Sequence, residues 1–378
     1  MDYQVIPSPC YVLEEKKLKE NLVLLQKIQR EAGVSIILAL KGFAMWSSFG
    51  MVKKYLAGAT ASSLNEALLC NEEMGKKAHT YSPVYLPSEF DEILALSSHI
   101  SFNSIQQYEL YREKVAAYNG NVSCGLRVNP EYSEIEVALY NPCTPGSRLG
   151  ETIEAFGETL PEGIEGLHFH THCESNSYSL AKTLEAFESR FGKYLKSLRW
   201  VNFGGGHLMT GEDYDVPHLI QLLKDFKARY DVEVVLEPGS AVAWNTGFLL
   251  ATVLDIFESK GIKTAMVDIS FTAHLPDTLE MPYLPRIIGA TNPAVPGKPS
   301  YRIGGLSCLS GDYLEQYSFE QALTVGDRII FEDMIHYTMV KTNMFNGVTH
   351  PNIGIWTEEE SFRLVRQFSY EDYKNKLS

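Results

Sequence analysis

The sequence predicts an α/β fold: a (β/α)8 TIM-like barrel joined to a C-terminal, mostly β domain. Eight short apolar runs alternate with helical stretches over about 210 residues, as such a barrel requires. A doubly wound sheet gives a similar alternation, but eight units in that length favour the barrel. After Trp244 the alternation stops, and strand-like runs separated by turn signals follow. We therefore expect residues 14–245 to form the barrel and residues 1–13 and 246–378 to form the β-rich domain.

Each element follows from local patterns. A charged helix is predicted over residues 14–32, because leucines recur on one face and Gly33 ends it. The barrel strands are predicted to begin near Ser35, Gly58, Ala78, His99, Val122, Ile164, Trp200 and Val232. Helices are predicted over residues 64–74, 88–96, 104–118, 179–195 and 216–230. In the β-rich domain, strands are predicted over residues 248–257, 264–271, 301–303, 328–331 and 337–339, and the segment before Glu14 is expected to add another.

Composition and charge exclude several classes of function. The chain has 378 residues, 45% of them hydrophobic, which suits a large core and argues against disorder. Because we find no signal peptide and no run near the ~18 apolar residues of a membrane span, we expect no membrane partner. The net charge of -14 argues against nucleic acid as a partner. The six cysteines, at positions 10, 70, 124, 143, 173 and 308, form no CxxC pair and indicate reduced thiols in a cytoplasmic protein.

Lys41 is the first candidate for chemistry. It follows the apolar run of residues 35–40, where the first barrel strand is expected to end. Burying an ammonium there is costly, whereas desolvation lowers the pKa of a lysine and gives a nucleophilic amine. Such an amine forms a Schiff base with a carbonyl compound. A surface lysine beyond a strand end is the ordinary alternative. Because polar and glycine residues also gather at the other strand ends, we favour the Schiff base.

A phosphate site is predicted at two neighbouring strand ends. Gly204, Gly205 and Gly206 follow the seventh strand, and a second loop begins at Glu237 after the eighth. Glycines let the backbone approach an anion, and barrels frequently bind phosphate with these two loops. Glu237 follows the apolar run of residues 234–236, so its carboxylate needs a cationic partner. That partner is either an internal salt bridge or the protonated ring nitrogen of pyridoxal phosphate.

Three alternating histidines form another candidate set. If His168, His170 and His172 lie on one strand, they face the same side of it. Three histidines with an open position suit a catalytic zinc ion, so a metal-dependent hydrolase is an alternative from another class. Otherwise one histidine packs on a cofactor ring while the others bind substrate, and His168 is readily explained as a core residue.

The β-rich domain offers two weaker candidates. Asp277 and Glu280 are spaced i, i+3 and present two carboxylates to an amine-bearing substrate, with a solvated acidic loop as the ordinary alternative. Cys308 lies in the stretch of residues 307–313, and the residues alone do not make it catalytic, because a cysteine in a strand usually serves packing.

Together these motifs resemble the fold type III, alanine-racemase-like family of pyridoxal-phosphate-dependent decarboxylases, which includes the ornithine and diaminopimelate decarboxylases. The resemblance implies a pyridoxal 5'-phosphate cofactor, carboxy-lyase activity, no metal ion, and a head-to-tail homodimer. The matching motifs run nearly end to end: Ala39-Leu40-Lys41, Arg127-Val128-Asn129-Pro130, His168-Phe169-His170, Gly204-Gly205-Gly206, Glu237-Pro238-Gly239, Cys308 with Gly311-Asp312, and Tyr337 before Phe345-Asn346-Gly347.

The resemblance also implies roles for single residues. Lys41 would bind the cofactor covalently, His170 would stack on its ring, and Glu237 would keep the ring nitrogen protonated. Cys308 would return a proton after carbon dioxide leaves, from across the dimer interface. The other residues that the resemblance assigns to the cofactor are Arg127, Gly205, Gly206, Gly239, Ser240 and Tyr337.

One departure bears on the substrate: Leu309 stands where diaminopimelate decarboxylases have Glu and ornithine decarboxylases have Asp. A second departure, Ser240 where many relatives have Arg, implies a less charged phosphate site. The first departure, together with the motif Cys173-Glu174 after His172, implies a carboxylated polyamine, carboxynorspermidine or carboxyspermidine, as the small-molecule substrate. Diaminopimelate, arginine or another basic amino acid is the alternative within the fold, and a non-catalytic relative that binds a partner decarboxylase is a further one. The candidate substrate-binding residues are His172, Glu174, His274, Asp277, Glu280 and Asp312.

Overall fold

A computed structural model of the chain describes residues 1–280 and 282–378. Residues Asn21–Val242 form one compact unit, and Met1–Glu20 with Ala243–Ser378 form the other. Within the described residues, no helix combines the length and the apolar character that crossing a membrane requires.

The first unit contains the predicted closed barrel. Its eight strands pair in parallel and in chain order, and β2 pairs with β9 to close the cylinder. The predicted barrel is therefore confirmed. After β1 (Cys10–Glu14), which belongs to the other unit, the barrel strands are β2 (Ser35–Ala39), β3 (Gly58–Ala61), β4 (Ala78–Tyr81), β5 (Ser97–Phe102), β6 (Ser123–Arg127), β7 (Ile164–His168), β8 (Trp200–Asn202) and β9 (Glu233–Leu236).

Several helices of the barrel begin at polar caps. The side chains of Ser63, Ser104 and Asn176 accept hydrogen bonds from the first turns of the helices that they precede, which satisfies backbone donors that a helix start leaves unpaired. The helices are α1 (Glu15–Ala32), α2 (Phe49–Val52), α3 (Leu64–Leu69), which continues as a turn of π-helix over Cys70–Met74, α4 (Phe90–Leu96), α5 (Ile105–Ala117), α6 (Ser177–Leu195), α7 (Val216–Tyr230) and α8 (Ser240–Ala243).

The barrel interior is filled by side chains. The buried indole of Trp200 on β8 lies against Gly125 of β6 and Gly166 of β7, where a Cβ atom would overlap the ring. Its Nε1–H donates to Ser123 Oγ (2.8 Å). The two glycines therefore make room for one large aromatic ring across three neighbouring strands.

The second unit is built on a mixed nine-stranded sheet. As expected, the N-terminal segment adds a strand: β1 pairs antiparallel with β10 and parallel with β16. The other strands of the sheet are β10 (Gly247–Ser259), β11 (Ile262–Val267), β12 (Ala290–Thr291), β13 (Ser300–Gly304), β14 (Tyr313–Phe319), β15 (Arg328–Glu332), β16 (Asn352–Trp356) and β17 (Phe362–Arg366), and the helices are α9 (Phe271–His274), α10 (Asp277–Glu280) and α11 (Tyr370–Leu377).

Two strand predictions in this unit were wrong. Residues 337–339 form no strand, because Tyr337 has a φ of 52°, a left-handed conformation that no strand contains. The strand predicted over residues 264–271 ends at Val267, since Ser270 instead caps α9. Strands β12, β14, β16 and β17 were not predicted.

Candidate active site

Candidate side chains meet at the carboxyl ends of the barrel strands. Arg127 and His168 are the last residues of β6 and β7, Glu237 directly follows β9, and Lys41 lies two residues beyond β2. The loop after β2 is tied to its neighbours, since Ala39 N–H donates to Pro238 O (3.0 Å) and Leu40 N–H to Thr60 O (3.2 Å). The parallel register therefore brings together groups that lie far apart in the sequence.

The amine of Lys41 has a reduced basicity. Burial lowers its pKa below the usual range, and the positive charge of Arg127 lowers it further, while Glu237 and Glu66 oppose the change. Lys41 is nevertheless an exposed residue, and contact with solvent moderates both the burial and the charge effects. A lowered pKa increases the fraction of neutral, nucleophilic amine near neutral pH.

His170 lies against Lys41 as a neutral imidazole. Its Nε2 is 3.5 Å from Lys41 Nζ, and its Nδ1 accepts a hydrogen bond from Gly205 N–H (2.8 Å). Since Nδ1 is an acceptor, the ring proton lies on Nε2. Burial, Lys41 and Arg127 together hold the pKa of His170 well below its usual range, so the ring is uncharged near neutral pH.

Glu237 is a buried carboxylate beside a second neutral histidine. Asn202 Nδ2 donates to its Oε1 (2.6 Å), and its Oε2 lies 3.7 Å from His168 Nε2. Burial raises the pKa of Glu237, although Asn202 and Lys41 partly offset this effect. A buried carboxylate of this kind is well placed to pair with a protonated ring nitrogen and share its proton.

Arg127 is buried and positioned by an aromatic ring. Its guanidinium carbon lies 4.6 Å from the ring centroid of Tyr81, and its Nη2 donates to the carbonyl oxygen of His170 (3.2 Å). Cation–π contact and this hydrogen bond orient the positive charge. After burial, which is the largest cause, its charge contributes to the lowered pKa of Lys41 and of His170.

The histidine triad predicted for a metal does not form as predicted. Strand β7 ends at His168, so the alternation that would align His172 with it stops there. Among the described residues, the ligand atoms that lie within 4.8 Å of one another belong to His168, His170 and Glu237. His172 instead lies near His207, with ring centroids 5.0 Å apart. The nearby positive charge of Arg127 also opposes a metal cation.

The glycine loop after β8 packs tightly against its neighbours. A Cβ at Gly204 would overlap the backbone of residues 169–170, one at Gly205 would overlap Glu237 O, and one at Gly206 would overlap His172 O. The three glycines are therefore required by backbone packing as well as by any ligand. The loop borders a shallow hollow that is open to solvent and is lined by Glu174, Gly206, His207, Leu208, Gly239, Ser240 and Ala241.

The hollow accounts for four residues predicted to bind cofactor or substrate. Gly206, Gly239 and Ser240, three of the residues predicted to bind the cofactor, line it. Glu174, predicted to bind substrate, lines it too, and its Oε1 accepts a hydrogen bond from Ser240 Oγ (3.2 Å). A hydroxyl and glycine backbone at one hollow fit a phosphate group.

In the second unit, Cys308 lies on a loop and not in an apolar strand. The loop joins β13 and β14, and Cys308 is exposed. Its N–H donates to Asn346 Oδ1 (2.7 Å). The carboxylate of Asp312 accepts hydrogen bonds from three backbone N–H groups, those of Phe271 (2.6 Å), Thr272 (3.0 Å) and Ser307 (2.8 Å). These bonds favour a structural role for Asp312 over the predicted contact with substrate.

The remaining predicted residues also lie in the second unit. His274 is fully buried, and its Nδ1 accepts from Ser270 N–H (3.1 Å), which favours a structural role as well. Asp277 Oδ2 accepts hydrogen bonds from the hydroxyls of Tyr283 (2.9 Å) and Thr338 (3.4 Å). The exposed Glu280 pairs with Lys341 (2.6 Å). The left-handed Tyr337 follows His336, with ring centroids 6.1 Å apart.

The sequence did not single out two residues that act on the candidate site. Asn202 supports Glu237, and Glu66 acts electrostatically on Lys41. The pattern Ser63-x-x-Glu66, which is typical of a helix start, could have drawn attention to Glu66. In the structure Ser63 Oγ accepts a hydrogen bond from Glu66 N–H (3.3 Å), and Glu66 Oε2 accepts one from Ser62 N–H (2.6 Å).

Known proteins resemble the chain over nearly its whole length. A family profile described as pyridoxal-dependent decarboxylase, C-terminal sheet domain, matches residues 10–335. Carboxyaminopropylagmatine decarboxylase from Synechocystis sp. is 51% identical over 373 residues, covering 98% of this chain and 96% of that protein. Carboxynorspermidine/carboxyspermidine decarboxylase from Campylobacter jejuni is 42% identical over 383 residues, covering 99% of each.

A solved structure has the same architecture. The crystal structure of carboxynorspermidine decarboxylase from Campylobacter jejuni, complexed with norspermidine, superposes with a TM-score of 0.91 at 40% identity. The match covers 98% of this chain and 100% of that chain.

Proposed function

The chain belongs to the pyridoxal-dependent decarboxylases, and on that basis we propose that it removes carbon dioxide from a carboxylated polyamine. Membership makes it a carboxy-lyase with pyridoxal 5'-phosphate as cofactor. The observation that carries the proposal is the amine of Lys41, with its lowered pKa, 3.5 Å from the neutral ring of His170. That pairing suits a lysine that reacts with a carbonyl group.

The residues at the barrel mouth fit this cofactor. Bound pyridoxal phosphate supplies a sink for the electron pair that carbon dioxide leaves behind. We assign covalent attachment to Lys41, ring stacking to His170, and the proton at the ring nitrogen to the buried Glu237. Arg127 supports these roles because its charge adds to the effect of burial in lowering the pKa of Lys41 and of His170. The phosphate is assigned to the hollow at Gly206 and Ser240, and to Gly205 and Gly239.

The substrate class is taken from the relatives. Each of the two enzymes above is named for a carboxylated polyamine. Carboxynorspermidine and carboxyspermidine end in an ammonium group, whereas carboxyaminopropylagmatine ends in a guanidinium group. We assign recognition of the cationic chain to acidic residues, with Asp277 and Glu280 as the candidates. Support comes from Asp277 Oδ1, a buried oxygen without a hydrogen-bond partner among the described residues.

We further propose a cytoplasmic homodimer in which Cys308 serves the barrel of a second copy. The exposed position of Cys308 supports such a role. The six cysteines are all free thiols, as in a reducing compartment.

A substrate comparison tests the proposed function. The measurement is kcat/KM for carbon dioxide release from carboxynorspermidine, carboxyspermidine, carboxyaminopropylagmatine and diaminopimelate. We expect kcat/KM for at least one carboxylated polyamine to exceed that for diaminopimelate by roughly 100-fold or more. A pocket discriminates strongly against a substrate that leaves its charged groups without a partner. Diaminopimelate as the best substrate would contradict the proposal. The ratio between the ammonium-ended and guanidinium-ended compounds then identifies the preferred member of the class.

A further inference from the structure

Glu174 is a carboxylate beside a hollow suited to a phosphate group. Of the described residues that line the hollow, Glu174 carries the only formal charge near neutral pH, because burial lowers the pKa of His207 to about 4. Position 240, which is close to the bound-phosphate site proposed above, is a serine and supplies no positive charge. A phosphate in the hollow therefore faces a negative charge with no cation among these lining residues to offset it.

The backbone fixes Glu174 in this position. Ser175 N–H donates to Gly206 O (2.7 Å), and Leu208 N–H donates to Ser175 O (3.1 Å), so the segment is paired to the glycine loop itself. Glu174 has a φ of 49°, a left-handed conformation that a non-glycine residue keeps only where its surroundings impose it. This strained residue presents its carboxylate to the Ser240 hydroxyl at 3.2 Å.

We propose that Glu174 competes with the cofactor phosphate for the Ser240 hydroxyl and thereby sets the affinity of the protein for its cofactor. The inference rests on the proposed function, because it takes the hollow as the phosphate site. A serine hydroxyl has one proton to donate, so Ser240 serves either the carboxylate or the phosphate. Glu174 is exposed and is free to turn toward solvent when phosphate takes that proton. The carboxylate then remains a nearby like charge that weakens phosphate binding.

The test compares two ligands that differ only in the phosphate. Cofactor-free protein is titrated with pyridoxal 5'-phosphate and with pyridoxal, and Kd is measured by absorbance or tryptophan fluorescence. Glu174→Gln should lower the Kd for pyridoxal phosphate by about three- to tenfold and leave that for pyridoxal unchanged. The difference should shrink at 1 M salt, because salt screens an exposed charge. Glu158→Gln removes the same charge from a side chain that is 99% exposed and should change neither Kd.

A second substitution tests whether Ser240 mediates the competition. Ser240→Ala should weaken pyridoxal phosphate binding, and Glu174→Gln should improve it less in the Ser240→Ala background than in the wild type. Glu174→Asp keeps the charge but withdraws it from Ser240, so its Kd for pyridoxal phosphate should lie between those of the wild type and Glu174→Gln. If Glu174→Gln fails to fold, Glu174→Asp takes its place in the test.

Three results would overturn the inference. The first is weaker or unchanged pyridoxal phosphate binding in Glu174→Gln, and the second is an equal change in the Kd for pyridoxal. The third is an equal gain in pyridoxal phosphate affinity from Glu174→Gln in the wild-type and Ser240→Ala backgrounds. Wild-type protein that binds neither ligand would instead overturn the proposed function, on which the inference rests.

Discussion

Lys41 and Cys308, the two residues that we assign to the chemistry, lie in regions built in different ways. Lys41 is surrounded by groups from several barrel strand ends, and those groups shift its pKa and those of their neighbours. Cys308 lies on an exposed loop, whose backbone is held by the side chains of Asp312 and Asn346.

The difference indicates what each region controls. The barrel mouth sets protonation states, because buried charges there act on one another at reduced dielectric. The loop sets the position of one thiol, because side-chain acceptors on backbone N–H groups fix its path. Substitutions in the barrel should therefore alter reactivity, whereas substitutions of the residues that hold the loop should alter its geometry and stability.

Lys41→Ala should have the largest effect, because it removes the reacting amine itself. We expect kcat to fall by about 10³-fold or more, together with loss of the visible absorbance that borohydride abolishes in the wild type. Lys53→Ala, at an exposed lysine that follows α2, is the matched control and should retain both properties. Turnover by Lys41→Ala near the wild-type rate would refute the role of this lysine.

Cys308→Ala should have the next largest effect, and it should separate chemistry from cofactor binding. Loss of a proton donor lowers rates by about 10²-fold or more, while the Kd for pyridoxal phosphate should stay unchanged. Ser310→Ala alters an exposed residue of the same loop and should be nearly neutral. Loss of the cofactor in Cys308→Ala would show that the thiol does something other than transfer a proton.

Asp312→Asn should loosen the Cys308 loop and lower stability. An amide cannot accept hydrogen bonds at both positions, so at least one of the N–H groups of Phe271, Thr272 and Ser307 loses its acceptor. We expect the free energy of unfolding to fall by about 1–3 kcal/mol, measured from the urea transition of this unit. Glu315→Gln, at an exposed residue 3.5 Å from Arg302, should lose less than about 1 kcal/mol. Equal losses in the two variants would argue against the structural role of Asp312.

The barrel was predictable from sequence, but parts of the β-rich unit were not. Alternation of apolar runs and helices specifies eight parallel strands in chain order. No comparable rule orders the second sheet, in which β1 pairs with β10 and β16 from distant parts of the chain. The left-handed Tyr337 shows why its predicted strand failed, since an apolar pattern does not reveal a backbone turn.

The candidate site was predictable where a strand end alone places a residue. Lys41 and Glu237 were found in this way. Asn202 and Glu66 were not, because their relevance depends on partners that only the barrel register brings near them. The alternation of three histidines suggested that they lie on one strand, but β7 ends at the first of them, His168.

Glu66→Gln should give the smallest effect, and its sign tests how the barrel mouth sets the state of Lys41. Glu66 favours the ammonium form of Lys41 and so opposes the lowering of its pKa. Without this carboxylate, the pKa of the amine should fall further, so that Lys41 deprotonates at lower pH. The rate of Schiff-base formation with pyridoxal should therefore reach its plateau at lower pH than in the wild type.

The Glu66→Gln comparison also isolates charge from structure. The glutamine amide oxygen can still accept from Ser62 N–H, as Glu66 Oε2 does at 2.6 Å, so the helix start should persist and thermal unfolding should change little. Glu72→Gln, at an exposed carboxylate on the following turn, should leave the pH profile unmoved because solvent screens its charge. A profile displaced to higher pH, or displaced equally by both variants, would mean that charges at the barrel mouth do not set the protonation state of Lys41.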